Sequence, residues 1–232
     1  MNRRDWLGAV LGLATALGGP VARGQPTPPL PTEMKALGDD RYQIGRIVID
    51  KQARRFTVPG RVHVTEKPLE FLAATPGGKK EYETLLEVDA TGTEFNLACI
   101  LVGLERARDQ MPYQQFSQVP LDGPRVALYV AWVEGGKRRQ VPAAEALLEP
   151  KAGVKPESVE WVYTGSPFPR HDGILAADIT GMLIGFVHDP TTVIEALNGL
   201  GIGAYGSVRG NSMLPAVGSS VELIVEVVRA TR

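Results

Sequence analysis

Cysteine is almost missing from this chain: Cys99 is the one thiol in 232 residues. That excludes an intramolecular disulfide framework and any site built from several thiolates of one chain, an all-cysteine zinc site or an iron–sulfur cluster included. An excess of one charge is missing too. Lys and Arg number 25 against 26 Asp and Glu, with a pI near 6.3, so the clustered cations that grip a nucleic acid or an anionic membrane are absent. There are three histidines, His63, His171 and His188, and their spacing matches no zinc motif. No metal and no cofactor is expected on this reading.

What is present starts with Met1-Asn2-Arg3-Arg4-Asp5-Trp6-Leu7-Gly8, an apolar run through Leu17, and Gly18-Gly19-Pro20. A basic start, an apolar stretch shorter than the ~18–20 residues of a bilayer span, and small residues at Ala22 and Gly24 form an export signal ending before Gln25. Arg3-Arg4 followed by Trp6-Leu7 resembles a twin-arginine leader, which implies export of an already folded protein to the periplasm or envelope. Loss of residues 1–24 leaves 22 basic and 25 acidic residues, a net charge of −3, and no transmembrane span is expected after that loss. Gln25-Pro26-Thr27-Pro28-Pro29-Leu30-Pro31 is too rich in proline to pack, so 25–41 reads as a tether and 42–232 as a single domain.

Within that domain short Val- and Ile-rich runs alternate with period two between Gly and Pro signals. Ile47 to Ile49, Arg55 to Val58, Val62 to Thr65, Arg125 to Val133, Arg138 to Val141, Val159 to Tyr163, Ile174 to Ala177, Met182 to Val187 and Val221 to Val228 read as strands, with a hairpin turn at Glu134-Gly135-Gly136-Lys137. Thr91 and Glu94 form a capping-box pair ahead of a helical stripe, Phe95, Leu97, Ala98, Ile100, Leu101 and Leu104. Short helices are expected at Pro142 to Leu148 and from Asp189-Pro190 to Asn198-Gly199. Together these predict an α+β fold: mainly antiparallel sheet with one well-defined amphipathic helix and one or two short ones.

Gly77-Gly78-Lys79 reads either as a glycine turn or as a concave run of N–H groups beside an ammonium, a seat for a small anion. Glu81, Glu83 and Glu87 share one face if their segment is a strand. Trp161, Tyr163 and Phe168 bracket the loop from Thr164 to Pro167. His171-Asp172 and His188-Asp189 pair an imidazole with a neighbouring carboxylate, although Asp189 reads better as a helix cap. Gly210-Asn211-Ser212-Met213-Leu214-Pro215 imitates a signal-peptidase nucleophile box, but no lysine follows Ser212 to serve as its base. Cys99, flanked by Ala98 and Ile100, reads as a buried small hydrophobe.

Thr75-Pro76-Gly77-Gly78-Lys79 with Tyr82-Glu83-Thr84-Leu85-Leu86, then Trp161-Val162-Tyr163-Thr164-Gly165-Ser166, Gly173-Ile174-Leu175-Ala176-Ala177-Asp178 and Leu214-Pro215-Ala216-Val217-Gly218 occur in an order that resembles the YdjY-like domain family of exported bacterial proteins. The resemblance runs from about Ile44 to Val228 and implies no settled activity. A ferredoxin-like label attached to some members does not fit a chain with one thiol. Gly77, Gly78, Lys79, Glu83, Trp161, Ser166 and Asp178 are the candidate ligand-binding residues. The expected function is an exported, non-catalytic binding or accessory module for an envelope protein or a small anionic ligand. The alternative is an envelope hydrolase with its site near Gly77-Gly78-Lys79 and the loop from Thr164 to Gly173.

Overall fold

Where the chain alternates Val and Ile it forms strands, and eight of those strands close on themselves. The computed structural model describes residues 33–108, 112–148, 159–169, 172–199 and 207–229. In chain order the strands are β1 (Met34–Gly38), β2 (Arg41–Ile44), β3 (Ile47–Asp50), β4 (Arg55–Val62), β5 (Phe71–Ala74), β6 (Thr84–Val88), β7 (Arg125–Glu134), β8 (Lys137–Pro142), β9 (Leu147–Leu148), β10 (Trp161–Tyr163), β11 (Met182–Gly185), β12 (Ile194–Ala196), β13 (Arg209–Gly210) and β14 (Ser220–Val227). The helices are α1 (Gly92–Leu101) and α2 (Ala176–Thr180). The barrel runs β4-β14-β7-β10-β12-β11-β5-β6, and β6 pairs back onto β4. The pairs β5–β6 and β11–β12 are parallel, and the other barrel pairs are antiparallel.

Closure depends on β4 having two neighbours along one edge. Its first half pairs with β3 at Arg55 to Thr57 and its second half with β6 at Gly60 to Val62. Gly60 sits at the changeover, where a Cβ would lie 2.3 Å from the Glu87 carbonyl oxygen and 2.9 Å from Val88 Cα. Only a residue without a side chain lets β6 come that close. The Pro59-Gly60 pair, expected to separate two strands, therefore lies inside one continuous strand. β7 divides in the same way, pairing with β10 at its start and β8 at its end.

The α+β expectation is overturned. Strands hold 39% of the described residues and helices 13%, and α1 alone reaches seven residues, so the fold is a β-barrel with four added strands. Of the two short helices expected, the one from Asp189 failed and the one at Pro142 to Leu148 formed only in part, each for a local reason. Asp189 Oδ1 accepts the Thr191 N–H at 2.9 Å, closing an Asx turn whose chain then extends into β12. Pro142 to Leu148 makes only the 3-10 turn Ala143–Ala146 before β9. Conversely α2 begins inside Ile174 to Ala177, which reads as a strand.

Helix α1 forms behind the expected cap, but it ends at Leu101, short of Leu104, and leaves Ile100 of the expected stripe exposed. Glu94 N–H donates to Thr91 Oγ1 at 3.1 Å and Thr91 N–H to Glu94 Oε2 at 2.8 Å, so both halves of the capping box are present. Phe95, Ala98 and Cys99 are buried in the main core, and Phe95 meets Phe56 of β4 edge-to-face at 5.3 Å between centroids. Burial raises the Cys99 thiol well above its ordinary pKa, consistent with an inert packing residue. The segment 25–41, read as a tether, contains β1, which pairs with β2 through a turn at Gly38, Asp39 and Asp40, all at positive φ. The prolines stop at Pro31, which leaves the N–H groups after it free to enter a sheet.

Candidate functional site

The glycine turn is consumed by the fold. Gly77 adopts φ +74° and donates its N–H to Glu81 Oε2 at 3.0 Å. Gly78 N–H goes to the Thr75 carbonyl at 3.1 Å and Lys79 N–H to the Thr180 carbonyl at 2.7 Å. Each backbone donor of the expected anion seat thus has a protein acceptor, and the turn acts as a clamp on the end of α2. Gly78 and Gly181 approach so closely that a Cβ on Gly181 would lie 2.5 Å from Gly78 Cα. The Lys79 side chain is exposed.

Glu83 belongs to a different group. Residues Glu81–Glu83 form a 3-10 turn ahead of β6, so the three glutamates do not alternate along a strand. Glu83 lies 3.9 Å from Lys80 Nζ, which pairs with buried Glu70 at 2.5 Å and sits 5.4 Å over the Phe71 ring. Gln115 Nε2 donates to the same Glu70 oxygen at 3.4 Å. Burial and the Glu70 charge raise the Glu83 carboxyl above its usual pKa against the pull of Lys80. Burial alone lowers the Lys80 ammonium, but the Glu70 hydrogen bond and charge outweigh it and the net shift is upward. Glu70 and Lys80 escaped the sequence reading, although an acid inside the apolar run Leu69 to Ala74 was a usable signal.

Trp161 faces a cavity of its own, whereas Ser166 and Asp178 both meet α2, whose last residue the glycine turn also holds. Asp178 receives Thr93 N–H on Oδ1 at 2.9 Å and the Thr93 hydroxyl on Oδ2 at 2.5 Å, which ties α2 to the first turn of α1. It borders a cleft of about 420 Å³ with Arg46, Thr75, Pro76, Thr91 and Gly92. Trp161 is buried in β10 beside a 260 Å³ cavity. Ser166 is 2% exposed at φ +36°, and its Oγ donates to the Thr191 carbonyl at 2.8 Å and accepts the Ala177 N–H at 3.0 Å. His171 falls outside the described residues.

Ser166 does border a third cavity, of about 240 Å³, with Arg106, Pro112, Tyr113, Thr164, Pro167 and Pro190. Arg106 is the one charged residue in that lining. The Tyr113 hydroxyl hydrogen-bonds Thr164, whose own hydroxyl donates to the Val193 carbonyl at 3.1 Å. Tyr113 is held well above its usual pKa by burial and by the Glu195 charge, so it stays a neutral donor. Its ring meets His188 edge-on at 5.5 Å. His188 is fully buried: Nε2 bonds the Ala196 carbonyl at 2.8 Å and Nδ1 has no partner, while burial lowers its pKa despite that bond. Glu195, also fully buried, accepts the Asp189 N–H at 2.8 Å and the Thr192 hydroxyl at 2.6 Å through Oε1. Its Oε2 is unpartnered, packed where a Cβ on Gly185 would stand, and burial raises this carboxyl well above its ordinary range. Tyr113, Arg106 and Glu195 carried no sequence signal, because the loop and strands that hold them are joined only by the barrel.

Among the described residues one set of metal-ligating side chains converges: His63, Glu81 and Glu87, with ligand atoms all within 4.8 Å of one another. No helix among the described residues is long and apolar enough to cross a membrane. Residues 47–226 match the YdjY domain family. No curated protein and no solved structure matches the chain.

Proposed function

The chain belongs to the YdjY domain family, and from that premise we propose that it is an exported, non-catalytic binding module that takes a small anionic ligand in the Arg106–Tyr113–Thr164 cavity. The observation that carries this reading is the lining itself: one guanidinium, three neutral hydroxyl groups, three prolines and no carboxylate. Such a lining favours a small, largely apolar molecule ending in one carboxylate, with Arg106 pairing the charge. The occupied hydroxyl of Ser166 speaks against the hydrolase, since its proton is already donated to a backbone carbonyl. Export rests on the leader read in residues 1–24 and is tested by N-terminal sequencing of protein recovered from the periplasm, with Gln25 as the expected first residue.

Binding is tested by calorimetric titration of acetate, butyrate, hexanoate and inorganic phosphate into wild type, Arg106→Gln and Arg106→Lys. The expected result is saturable binding that strengthens from acetate to hexanoate, falls at least about tenfold in R106Q and partly returns in R106K. Preference for phosphate over every carboxylate would move the ligand to another anion class. Absence of saturable binding below about 10 mM, or equal binding by R106Q, would overturn the assignment.

A further inference from the structure

We propose that His63, Glu81 and Glu87 form a binding site for a divalent metal ion, zinc by the character of its donors. The three come from different places: His63 follows β4, Glu81 opens the 3-10 turn and Glu87 lies in β6. The pairing that closes the barrel brings them together, with Arg61 opposite Glu87 and the His63 N–H on the Leu85 carbonyl at 2.8 Å. This site is separate from the anion cavity and does not depend on it.

The spacing suits a shared ion better than direct contact. His63 Nδ1 stands 3.8 Å from Glu87 Oε2, too far for a hydrogen bond. Two donors at about 2.0–2.1 Å from a common zinc sit about 3.3 Å apart at the tetrahedral angle and about 4 Å apart at wider angles. With all three ligand atoms within 4.8 Å of one another, only side-chain adjustment is needed to close them on one ion. The ligands are also held from behind, as metal sites require. Arg61 pairs with Glu87 Oε1 at 2.5 Å, leaving Oε2 turned toward His63, and the Gly77 N–H fixes Glu81. Glu87 is only 5% exposed on its side chain, so its carboxylate is a poorly solvated acceptor with one guanidinium against two carboxylates nearby. A net negative charge remains for a cation to neutralise. One imidazole with two carboxylates and no thiolate selects a borderline divalent ion over Cu(I). Gly77, which does not face a ligand itself, thereby becomes a positioning residue for Glu81.

The test uses the full chain stripped with a chelator and titrated with zinc chloride, with calcium chloride as the comparison. One equivalent of zinc is expected, bound at least about tenfold more tightly than calcium, with the His63 imidazole nitrogen resonances shifting on addition. His63→Ala and Glu81→Gln are each expected to weaken zinc at least about tenfold while keeping the wild-type circular dichroism and metal-free Tm. Both side chains are only partly buried, so folding is not at stake; Glu87 is left intact for that reason. Folded wild type that binds no zinc, or zinc bound equally well by H63A or E81Q, would overturn the proposal.

Discussion

Replacing Ser166 separates the binding module from the hydrolase, because the two give its hydroxyl opposite roles. In Ser166→Ala the buried Ala177 N–H loses its acceptor and the Thr191 carbonyl its donor. A buried amide left unpaired costs about 1–3 kcal/mol, and the more accessible carbonyl adds about 0.5–1.5, so a loss of about 2–4 kcal/mol is expected. At about 2–4 °C per kcal/mol for a domain of this size, Tm falls by about 4–16 °C. The backbone supplies an internal control. Position 166 sits at φ +36°, where an alanine Cβ is strained and glycine is not, so Ser166→Gly should be about 1 kcal/mol more stable than S166A while lacking the same two bonds. Urea denaturation measures both variants, and hydrolysis of p-nitrophenyl acetate is followed in parallel. Wild-type turnover abolished in a fully stable S166A would refute the structural role and restore the nucleophile.

Lys80→Met strands the buried Glu70 carboxylate and is expected to lower stability by about 2–3 kcal/mol at pH 7, with Glu70→Gln added in the double variant recovering most of it; chemical denaturation reads both. Because the folded pKa of Lys80 lies above its unfolded value near 10.4, the pair's contribution is complete below that pH and is lost as pH rises through the folded value. Wild type should therefore show an alkaline loss of stability that K80M lacks, measured as Tm between pH 9 and 12. Phe95→Ala removes the aromatic that α1 packs against Phe56 and should cost about 3–5 kcal/mol, whereas Phe95→Leu should cost about 1–1.5. Equal stabilities for the two in urea would mean that α1 is not anchored there.

What the residues announced in advance is what they settle among near neighbours. Thr91 and Glu94 lie three apart, and both of their capping bonds formed. Glu134 to Lys137 turned a hairpin, with Gly135 and Gly136 both at positive φ. Asp189 shows where such signals mislead: the same carboxylate that caps a helix also closes an Asx turn, and the neighbouring strands decided between them. The candidate site was legible only in pieces. Glu81 and Glu83 look equivalent by parity, yet one 3-10 turn sends Glu81 toward His63 and Glu83 toward Lys80. Glu70 and Lys80, or Arg106 and Thr164, meet through packing between distant segments, and no local period records such a meeting.

The place of β14 between β4 and β7 sets the order in which this chain can mature. β14, the last strand in chain order among the described residues, is an inner stave of the barrel: Leu223 stands opposite Val58 on one side and Val130 on the other. Until Ser220–Val227 arrives, β4 and β7 each present a row of unpaired backbone groups, and the cavities behind them are open. Folding must wait for contacts spanning most of the chain, which makes it slow and leaves two adhesive edges exposed in the interval. A ribosome that stops before Ser220 releases a sheet whose two raw edges recruit strands from other chains.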